Sequence, residues 1–593
     1  MKRLLSGNEA VARGALEAGI KVAAAYPGTP STEILETLAE EYRSIYSEWS
    51  PNEKVAFEVG IGASLGGART LVTMKHVGLN VAADPFMTFA YTGVGAGFVL
   101  VCADDPAMHS SQNEQDNRFY AKFAQIPFLE PSDSQEAKDF VKIGCELSEQ
   151  FDTPAMLRMV TRISHSKSIV EEYDPVEPPA AKFKRDMDKY VMIPANARKR
   201  HVVVAERLEK MKEFSETTAL NFIEENGSDI GIITSGISYQ YCKDVLPGAD
   251  YFKIGFCFPL PLKRIRKFVE AHKTVLVVEE LEPYMEEQIR AAGIMVEGKK
   301  YFSRLGELSP SDVAQGFKDA GILDEVPAPF LKPAELFPRP PVLCPGCPHR
   351  GAFMALRRIG VAVTGDIGCY TLGVLPPLKM MDTCICMGAS VGNAIGLEKS
   401  GGAPRGVVAV IGDSTFLHSG ITGLLDAVYN KSNMTLIILD NRVTAMTGGQ
   451  EHPSTGRTLM GEPTKSVNLF DLCKALGVDS VRNADPYNFD ELLKVIREEI
   501  DREGPSVIIT DRACVLMPKR IMEQPYVVLE EECNGCGACY RIGCPAIMQS
   551  GKMTDDNKSI AEIDPILCTG CSLCAQICKP EAIVLQEQPV AAK

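Results

Sequence analysis

The sequence predicts a multidomain α/β protein in which doubly wound parallel sheets are followed by a small α+β domain rich in cysteine. Three observations predict this fold class. Helical patterns alternate with short apolar runs along most of the chain, and these runs are continuous, as in strands buried on both faces of a parallel sheet. Eight of the 19 cysteines lie between residues 533 and 578. At 593 residues the chain is also too long for one hydrophobic core.

Changes in composition divide the chain into four segments. Apolar runs at 97–104, 230–236 and 274–280 predict buried strands in the first two segments, and proline-containing stretches at 170–190 and 326–345 predict a linker and a boundary. The segments are 1–165, 191–325, 340–520 and 525–590. The first three are predicted to be α/β domains, and the last is the cysteine-rich tail.

The bulk composition excludes several functional classes. The net charge is −15, so the chain lacks the basic excess that general nucleic-acid binding and docking on an anionic membrane require. No run of 18 or more apolar residues occurs, so no membrane span is predicted. The N-terminus is a poor signal peptide because Glu9, Arg13 and Glu17 interrupt its apolar positions. Many cysteines without such a signal indicate a reducing, cytoplasmic location.

Two cysteine runs in the tail predict iron–sulfur ligation. Both place three cysteines at C-x2-C-x2-C spacing and a fourth a few residues on. Three such thiolates surround one face of a cubane, and the fourth ligand comes from the other run. The predicted ligands are Cys533, Cys536, Cys539 and Cys578 for one [4Fe–4S] cluster, and Cys568, Cys571, Cys574 and Cys544 for the second.

The tail resembles the bacterial two-cluster ferredoxin, which makes it an electron-transfer domain. It departs from that pattern in two places: four residues instead of three separate Cys539 from Cys544, and Lys579 displaces the usual proline to Pro580. The alternative is a zinc-binding or disulfide-rich knot. Zinc sites ordinarily use paired C-x2-C halves, and disulfides are disfavoured in a reducing compartment.

A βαβ unit between residues 406 and 443 predicts a metal–diphosphate site. The apolar runs 407–411 and 435–439 predict parallel strands, and Ile421, Leu424, Leu425 and Val428 follow the spacing of one helix face. Asp413 and Asn441 come just after the two strands, at the edge where doubly wound sheets bind ligands. Two hard oxygen ligands there suit Mg²⁺ holding a diphosphate. The alternative is that they serve as turn and helix-capping residues.

A C-x2-C pair opens the third segment. Cys344 and Cys347 are followed by His349. By itself the pattern is compatible with half of a zinc site, a redox dithiol or part of an iron–sulfur cluster.

Several stretches of the chain resemble the thiamine diphosphate-dependent 2-oxoacid:ferredoxin oxidoreductases, in particular their large subunits that act on indolepyruvate. The resemblance covers nearly the whole chain and is carried by "YPGTPSTE" at 26–33, "MKHVGLNVAADP" at 74–85, "LCPGCPHRG" at 343–351, "GDIGCYTLG" at 365–373 and "GDSTFLHSGITGLL" at 412–425. It implies, in chain order, a pyrimidine-binding domain, a transketolase C-terminal-like domain, a diphosphate-binding domain and a two-cluster ferredoxin domain.

For the cofactor site, the resemblance implies binding of thiamine diphosphate and Mg²⁺ at the family motif G-D-G…N-N, which here is G-D-S…D-N. Ser414 replaces the last glycine and Asp440 the first asparagine. The metal ligands would be the side chains of Asp413 and Asn441 and the backbone carbonyl of Val443. The residues implied at the site are Gly412, Asp413, Ser414, Asn441 and Val443.

The same resemblance implies catalytic residues in the first segment. Thiamine enzymes need a glutamate that protonates the aminopyrimidine ring, and Glu58 precedes a predicted helix rich in glycine and alanine, where a ligand can approach closely. Thr29 matches a threonine that lies near the substrate carboxylate in the family. His418 is a candidate active-site histidine, and a packed structural role is equally compatible with its sequence context.

A third [4Fe–4S] cluster is also implied by the resemblance. Related diphosphate domains hold a cluster next to thiamine with a C-P-G-C pair, a G-I-G-C cysteine and a later cysteine after a strand. The matching residues are Cys344, Cys347, Cys369 and Cys514. The alternative is that these are unmetallated cysteines lining the diphosphate pocket, with His349 contacting phosphate.

The family's reaction is oxidative decarboxylation of an aryl 2-oxoacid with CoA, giving an arylacetyl-CoA, CO₂ and two electrons for ferredoxin. The family also implies a separate small companion subunit of the beta or gamma type, an α2β2-like hetero-oligomer and an anaerobic setting. Two alternatives stay open. The first is the same chemistry on pyruvate or a branched-chain 2-oxoacid, and the second is a non-catalytic iron–sulfur electron-transfer subunit.

Overall fold

The computed structural model describes residues 1–177, 182–327, 337, 339–517 and 523–586. It divides the chain into two compact units: Met1–Glu335 with Leu459–Gly461, and Leu336–Thr458 with Glu462–Lys593. Each unit therefore contains two of the four predicted segments, whose own boundaries stay predictions. Parts of the two predicted proline-containing stretches and the ends of the last two segments lie outside the described residues, at 178–181, 328–336, 338, 518–520 and 587–590.

The first unit is built from alternating strands and helices. Its strands are β1 Lys2–Ser6, β2 Val22–Ala25, β3 Tyr46–Trp49, β4 Thr70–Lys75, β5 Phe98–Asp104, β6 Phe128–Leu129, β7 Ala155–Val160, β8 Lys167–Glu171, β9 Asn221–Glu224, β10 Ile230–Thr234, β11 Asp250–Ile254, β12 Phe256–Phe258 and β13 Thr274–Val278. Its helices are α1 Gly7–Glu17, α2 Thr32–Glu41, α3 Glu53–Leu65, α4 His76–Val81, α5 Ala83–Thr92, α6 Arg118–Ala124, α7 Ser134–Phe151, α8 Thr161–His165, α9 Met187–Tyr190, α10 Pro194–Ser215, α11 Gly236–Val245, α12 Leu262–Ala271, α13 Tyr284–Ala291 and α14 Pro310–Asp319, with a 3₁₀ turn at Pro106–Met108.

Two sheets organise this unit. The larger has the strand order β12-β6-β7-β5-β4-β2-β3 and is parallel except where β12 pairs with β6. The smaller has the order β13-β10-β11-β9, with β9 antiparallel. The apolar runs predicted as strands form β5, β10 and β13, and every residue of β5 is buried because helices cover both of its faces.

The predicted linker at 170–190 overlaps regular structure at both ends. Its first residues belong to β8, which pairs with β1 in an antiparallel ladder, and its last residues form α9. The described part of this stretch is therefore attached to the first unit. The cause is a set of long-range contacts that composition alone does not report, such as the bond from the backbone N–H of Tyr173 to the Glu17 carboxylate.

The second unit contains a parallel sheet and the cysteine-rich tail. Its strands are β14 Ala362–Gly365, β15 Thr383–Cys384, β16 Val407–Gly412, β17 Thr435–Asp440, β18 Ser480–Ala484, β19 Ser506–Asp511, β20 Tyr526–Val528, β21 Ile547–Met553, β22 Ser559–Ile563 and β23 Ile583–Leu585. Its helices are α15 His349–Ile359, α16 Ala389–Lys399, α17 Asp413–Thr415, α18 Ile421–Tyr429, α19 Leu469–Ala475, α20 Phe489–Ile500 and α21 Leu573–Gln576. Three short turns complete it: 3₁₀ turns at Cys369–Val374 and Cys539–Ile542, and a π-helical turn at Phe416–Gly420.

The sheet of this unit has the order β15-β14-β16-β17-β19-β18 and is parallel throughout. The predicted βαβ unit is confirmed as β16, α18 and β17. One detail is wrong: Leu425 is exposed, whereas Leu424 and Ala427 pack into the core. Because a helix turns about 100° per residue, Leu425 lies nearly opposite Ala427 and cannot share its face.

The tail is an α+β segment made of two antiparallel strand pairs, β20 with β23 and β21 with β22. Its buried cysteines share one hydrophobic core with Phe353 of α15 and Val410 of the sheet. Among the described residues of both units, no helix has the length and apolarity needed to cross a bilayer.

Candidate functional site

Asp413 and Asn441 lie together at the carboxyl edge of the second unit's sheet. They directly follow β16 and β17, whose register pairs Gly412 with Leu439, so the two strands end side by side. Asp413 is 2% exposed and Asn441 6%. Their oxygens accept backbone N–H groups of the loop that follows, Arg442 to Asp413 at 2.8 Å and Val443 to Asn441 at 3.4 Å. The structure thus brings the predicted metal-ligand residues to one place.

Two buried histidines border this pair. The Nε2 atom of His349, the first residue of α15, lies 3.5 Å from the Asn441 amide nitrogen. Burial lowers the pKa of His349 to about 4, although the charge of Asp413 opposes this shift. His452 was not predicted, and its Nε2 atom lies 3.3 Å from the Asp413 carboxylate. Both imidazoles therefore face the candidate diphosphate site.

Asp413 and Asp440 are neighbouring carboxyl groups whose pKa values shift in opposite directions. Burial raises the pKa of Asp440 to about 7, and the adjacent charge of Asp413 adds to the rise. Burial opposes ionisation of Asp413 as well, but His452, Asp440 and the backbone N–H of Ser414 hold its pKa below the usual range. Asp413 is thus the carboxylate that is ionised and ready to bind a cation.

The donor set fits Mg²⁺ carrying a diphosphate. Among the described residues, no group of three or more histidine, cysteine or acidic side chains is arranged to hold an ion. The predicted ligands contain only one such side chain, Asp413, because the others are an amide and a backbone carbonyl. A hard cation takes its remaining oxygens from phosphates and water. A site of this kind is completed by its cofactor.

Three other predicted residues of this region, Gly412, Ser414 and His418, are also buried. The Ser414 hydroxyl accepts a hydrogen bond from Thr444 at 2.9 Å, which ties the motif to the metal-ligand loop. His418 lies in the π-helical turn, with its Nδ1 atom 2.5 Å from the Ser419 hydroxyl. Gly412 packs against the Tyr370 ring, where a Cβ would come within 2.7 Å. The catalytic role of His418 stays a prediction.

In the first unit, Thr29 lies beside a buried lysine. Thr29 follows β2, and its carbonyl accepts the Ser110 hydroxyl at 3.5 Å. Lys75, the last residue of β4, donates from Nζ to the Ser110 carbonyl at 2.7 Å. Burial lowers the pKa of Lys75 to about 8, against the opposing charges of Asp105 and Glu53. This places a cation at the ligand-binding edge of the larger sheet.

Helix α3 carries two glutamates in opposite environments. Asn52 caps the helix by accepting the Val55 N–H at 2.9 Å, so α3 begins at Glu53. Glu58 therefore lies within the helix and does not precede it. Its side chain is 44% exposed and pairs with Lys54, whereas Glu53 is 5% exposed. Glu53 packs so closely on Gly78 that a Cβ there would lie 2.7 Å from its carboxylate.

The four cysteines predicted to hold a third cluster come together around the C-x2-C turn. Burial raises the pKa of Cys347 to about 12, with Cys344 and Cys369 adding to the rise. Burial also raises the pKa of Cys369 to about 11, with contributions from Cys514 and Cys344. These mutual electrostatic effects indicate that the four thiols lie in one region, although 22 to 170 positions separate the pair from the other two along the chain.

The eight tail cysteines divide into two groups that follow the predicted assignment. One cavity is lined by Cys533, Cys536, Cys539 and Cys578. A second is lined by Cys544, Cys568, Cys571 and Cys574. A cubane binds each cysteine through a different iron, so its ligands stand farther apart than those of a single ion. Four thiols around one small cavity fit such a group.

Besides Lys75 and Glu53, two further candidate residues were not predicted from the sequence, Asp366 and His452. Asp366 follows β14 and accepts the N–H groups of Ile367, Gly388 and Ser390, which closes the loop beside the cofactor site. A polar residue directly after a buried strand was the signal that identified Asp413, and it also marks Asp366. His452 carries no such signal, because its contact with Asp413 spans a loop.

Comparison with known proteins adds independent observations. The family described as "Pyruvate flavodoxin/ferredoxin oxidoreductase, thiamine diP-bdg" matches residues 13–223, and "Thiamine pyrophosphate enzyme, C-terminal TPP binding domain" matches residues 366–510. Indolepyruvate oxidoreductase subunit IorA of Archaeoglobus fulgidus is 43% identical over 619 residues, covering 98% of this chain and 97% of the relative. The protein of that name from Pyrococcus horikoshii is 43% identical over 626 residues, covering 97% and 96%.

A solved 2-oxoglutarate:ferredoxin oxidoreductase from Magnetococcus marinus is similar at a TM-score of 0.44 and 16% identity, covering 54% of this chain and 65% of that chain.

Proposed function

The chain belongs to the thiamine diphosphate-dependent 2-oxoacid:ferredoxin oxidoreductases, among the indolepyruvate oxidoreductase IorA subunits, and from that membership we propose a specific role. The chain is the catalytic and electron-transfer subunit that converts an aryl 2-oxoacid and CoA into an arylacetyl-CoA and CO₂. The two electrons leave to ferredoxin. The aryl preference is taken from the names of the relatives, which describe those proteins.

The observation that carries the proposal is the adjacency of the diphosphate site and a thiol group. The backbone N–H of Cys514 donates to the carbonyl of Asn441 at 3.0 Å. A predicted metal ligand of the cofactor site is thus one hydrogen bond from a predicted cluster ligand. Decarboxylation with transfer of single electrons requires such a neighbour, because an electron carrier has to lie close to the place where the electrons are released.

Within the second unit, the chain's residues bind and orient the cofactor. Asp413, Asn441 and the Val443 carbonyl would hold Mg²⁺, while Ser414 and His349 would face the diphosphate. Thiamine diphosphate, when bound, would supply the electron sink that decarboxylation of a 2-oxoacid needs. A neutral His349, which its low pKa ensures, contributes a hydrogen bond without adding charge beside Mg²⁺.

Two glutamates are candidates for the carboxylate that protonates the aminopyrimidine. The sequence predicts Glu58, whereas burial favours Glu53, because a proton-transferring carboxylate acts best where water is excluded. Glu58 faces solvent and pairs with Lys54. We propose that Glu53 fills this role, and a comparison of the two glutamine variants separates the possibilities.

The substrate carboxylate would be received in the first unit by Thr29 and Lys75. An ammonium group at the end of a buried strand attracts a carboxylate strongly because little water screens it. The three thiol groups would hold three [4Fe–4S] clusters, which supply one-electron carriers. A separate small companion subunit, an α2β2-like assembly and a cytoplasmic location complete the proposal.

The test is an anaerobic preparation of the chain with its companion subunit. We expect bound thiamine diphosphate and Mg²⁺, about twelve irons per chain, and reduction of a viologen dye that requires both CoA and an aryl 2-oxoacid. Faster turnover of pyruvate or a branched-chain 2-oxoacid would refute the aryl assignment. Absence of bound thiamine diphosphate would favour a non-catalytic electron-transfer subunit instead.

A further inference from the structure

Arg350 is a buried cation without a carboxylate partner. It is 2% exposed, and among the described residues no acidic oxygen lies within 4.0 Å of its guanidinium. Its Nε atom has no hydrogen-bond partner in the same described part of the chain. Burying an unpaired charge is strongly unfavourable, so buried cations in native proteins are ordinarily paired with an anion.

The backbone around Arg350 does not supply that anion. Arg350 is the second residue of α15, whose first turn contains no acidic side chain, so it lies at the positive end of the helix. Its guanidinium donates to four carbonyls: Ile542 at 2.9 Å, Gly543 at 2.7 Å, Cys344 at 3.2 Å and Leu343. Carbonyls orient the group but do not neutralise it.

Those carbonyls belong to two different thiol groups. Leu343 and Cys344 open the C-x2-C turn, and Gly543 directly precedes Cys544 of the tail. Arg350 also lines the cavity formed by Cys544, Cys568, Cys571 and Cys574. It is therefore a bridge between the third thiol group and one of the two tail groups.

The two groups are held close together at this point, because Gly346 lies against Thr569 so tightly that a Cβ would be 1.8 Å from its hydroxyl. The Tyr487 hydroxyl also donates to the Gly346 carbonyl at 2.5 Å.

We propose that Arg350 is a positioning residue that provides the shared counter-charge of two [4Fe–4S] clusters, those of Cys344, Cys347, Cys369 and Cys514 and of Cys544, Cys568, Cys571 and Cys574. The four thiolates carry more negative charge than the four-iron core carries positive charge, and reduction makes the cluster more negative still. A fixed cation between two such groups favours the reduced state of both and so raises both potentials. This inference rests on the proposed function, since it needs the clusters to be present.

The test measures cluster potentials in the anaerobic holoenzyme by EPR-monitored redox titration. In Arg350→Gln, the reduction equilibrium constants of the two named clusters should each fall by about tenfold, which is about 59 mV for a one-electron couple. The cluster of Cys533, Cys536, Cys539 and Cys578 serves as the internal reference and should not shift. Arg357→Gln is the matched control, because Arg357 lies on the same helix and is exposed.

Arg350→Lys separates charge from hydrogen bonding, because lysine keeps the cation and loses the guanidinium fork. Potentials near those of the unsubstituted protein in Arg350→Lys support the inference. Unshifted potentials in Arg350→Gln, or equal shifts in all three clusters, overturn it. If Arg350→Gln fails to assemble its clusters, the decision rests on Arg350→Lys. A fall of about tenfold or more in the reduction equilibrium constants of the two clusters in that variant would count against a counter-charge role for Arg350. Too little iron in the unsubstituted protein would instead refute the proposed function.

Discussion

The backbone N–H of Cys514 donates to the carbonyl oxygen of Asn441 at 3.0 Å. This bond extends the pairing of β17 with β19 beyond the last residues of both strands, so that an amide predicted to bind Mg²⁺ and a thiol predicted to bind iron are held at adjacent places. The separation between the predicted metal ligand Asn441 and the predicted cluster ligand Cys514 is thus fixed by the backbone of a parallel sheet. Loop rearrangement cannot alter it without breaking the ladder.

Replacing Asp413 by asparagine should abolish cofactor retention. The change removes the one ionised ligand of the candidate Mg²⁺ site, and even partners outside the ligand shell typically change metal affinity by about 10–100-fold. We expect thiamine diphosphate affinity to fall by about 100-fold or more, measured by isothermal titration calorimetry in the presence of Mg²⁺. Asp426→Asn, at an exposed position of α18, is the control, and retention of the cofactor by D413N would argue against the site.

The glutamine variants of Glu53 and Glu58 should behave differently. Glu53→Gln removes a buried proton carrier and should lower kcat by about 10²- to 10⁴-fold with cofactor still bound. Glu58→Gln removes an exposed charge paired with Lys54 and should leave kcat within about twofold. Measurements of kcat and of bound thiamine diphosphate in each variant and in the unsubstituted protein distinguish the two candidate glutamates. If Glu58→Gln lowered kcat more than Glu53→Gln, Glu58 would be the carboxylate that protonates the aminopyrimidine.

Substrate affinity should depend on the charge of Lys75. Its pKa is lowered to about 8, so the ammonium is present below that pH and is lost as the pH rises through it. We expect KM for the 2-oxoacid to increase between pH 7 and pH 9, with kcat changing less. In Lys75→Arg the cation persists across this range, and the increase should disappear. A KM profile that is the same in both proteins would exclude Lys75 from substrate binding.

Removing one thiol of the third group should remove one cluster. In Cys344→Ser we expect the iron content to fall by about four atoms per chain, because one cubane loses a ligand while the two in the tail persist. Iron and acid-labile sulfide analysis measures this loss. Cys386→Ser is the control, since Cys386 is exposed and outside the three groups. Equal iron in C344S and the unsubstituted protein would mean that the C-x2-C turn binds no cluster.

Periodicity and spacing determined much of the fold from the sequence alone. The continuous apolar runs became β5, β10, β13, β16 and β17, because a strand covered on both faces has no polar position to fill. The adjacency of Asp413 and Asn441 could be predicted because the carboxyl ends of parallel strands share one edge. The tail cysteines lie around two cavities in the groups that their spacing predicted. Three cysteines with two residues between successive members are close enough to line the same cavity.

Burial and long-range contact were decided only by the tertiary structure. The sequence could not rank Glu53 against Glu58, since both belong to one helix and only packing against Gly78 shows which is buried. Nor could it place His452 on Asp413, or show that Arg350 joins turns almost two hundred residues apart. The physical reason is common to all three. The local sequence pattern predicts contacts between residues that are near one another in the chain. The electrostatic environment of a charged group depends instead on atoms that folding brings from distant parts of the chain.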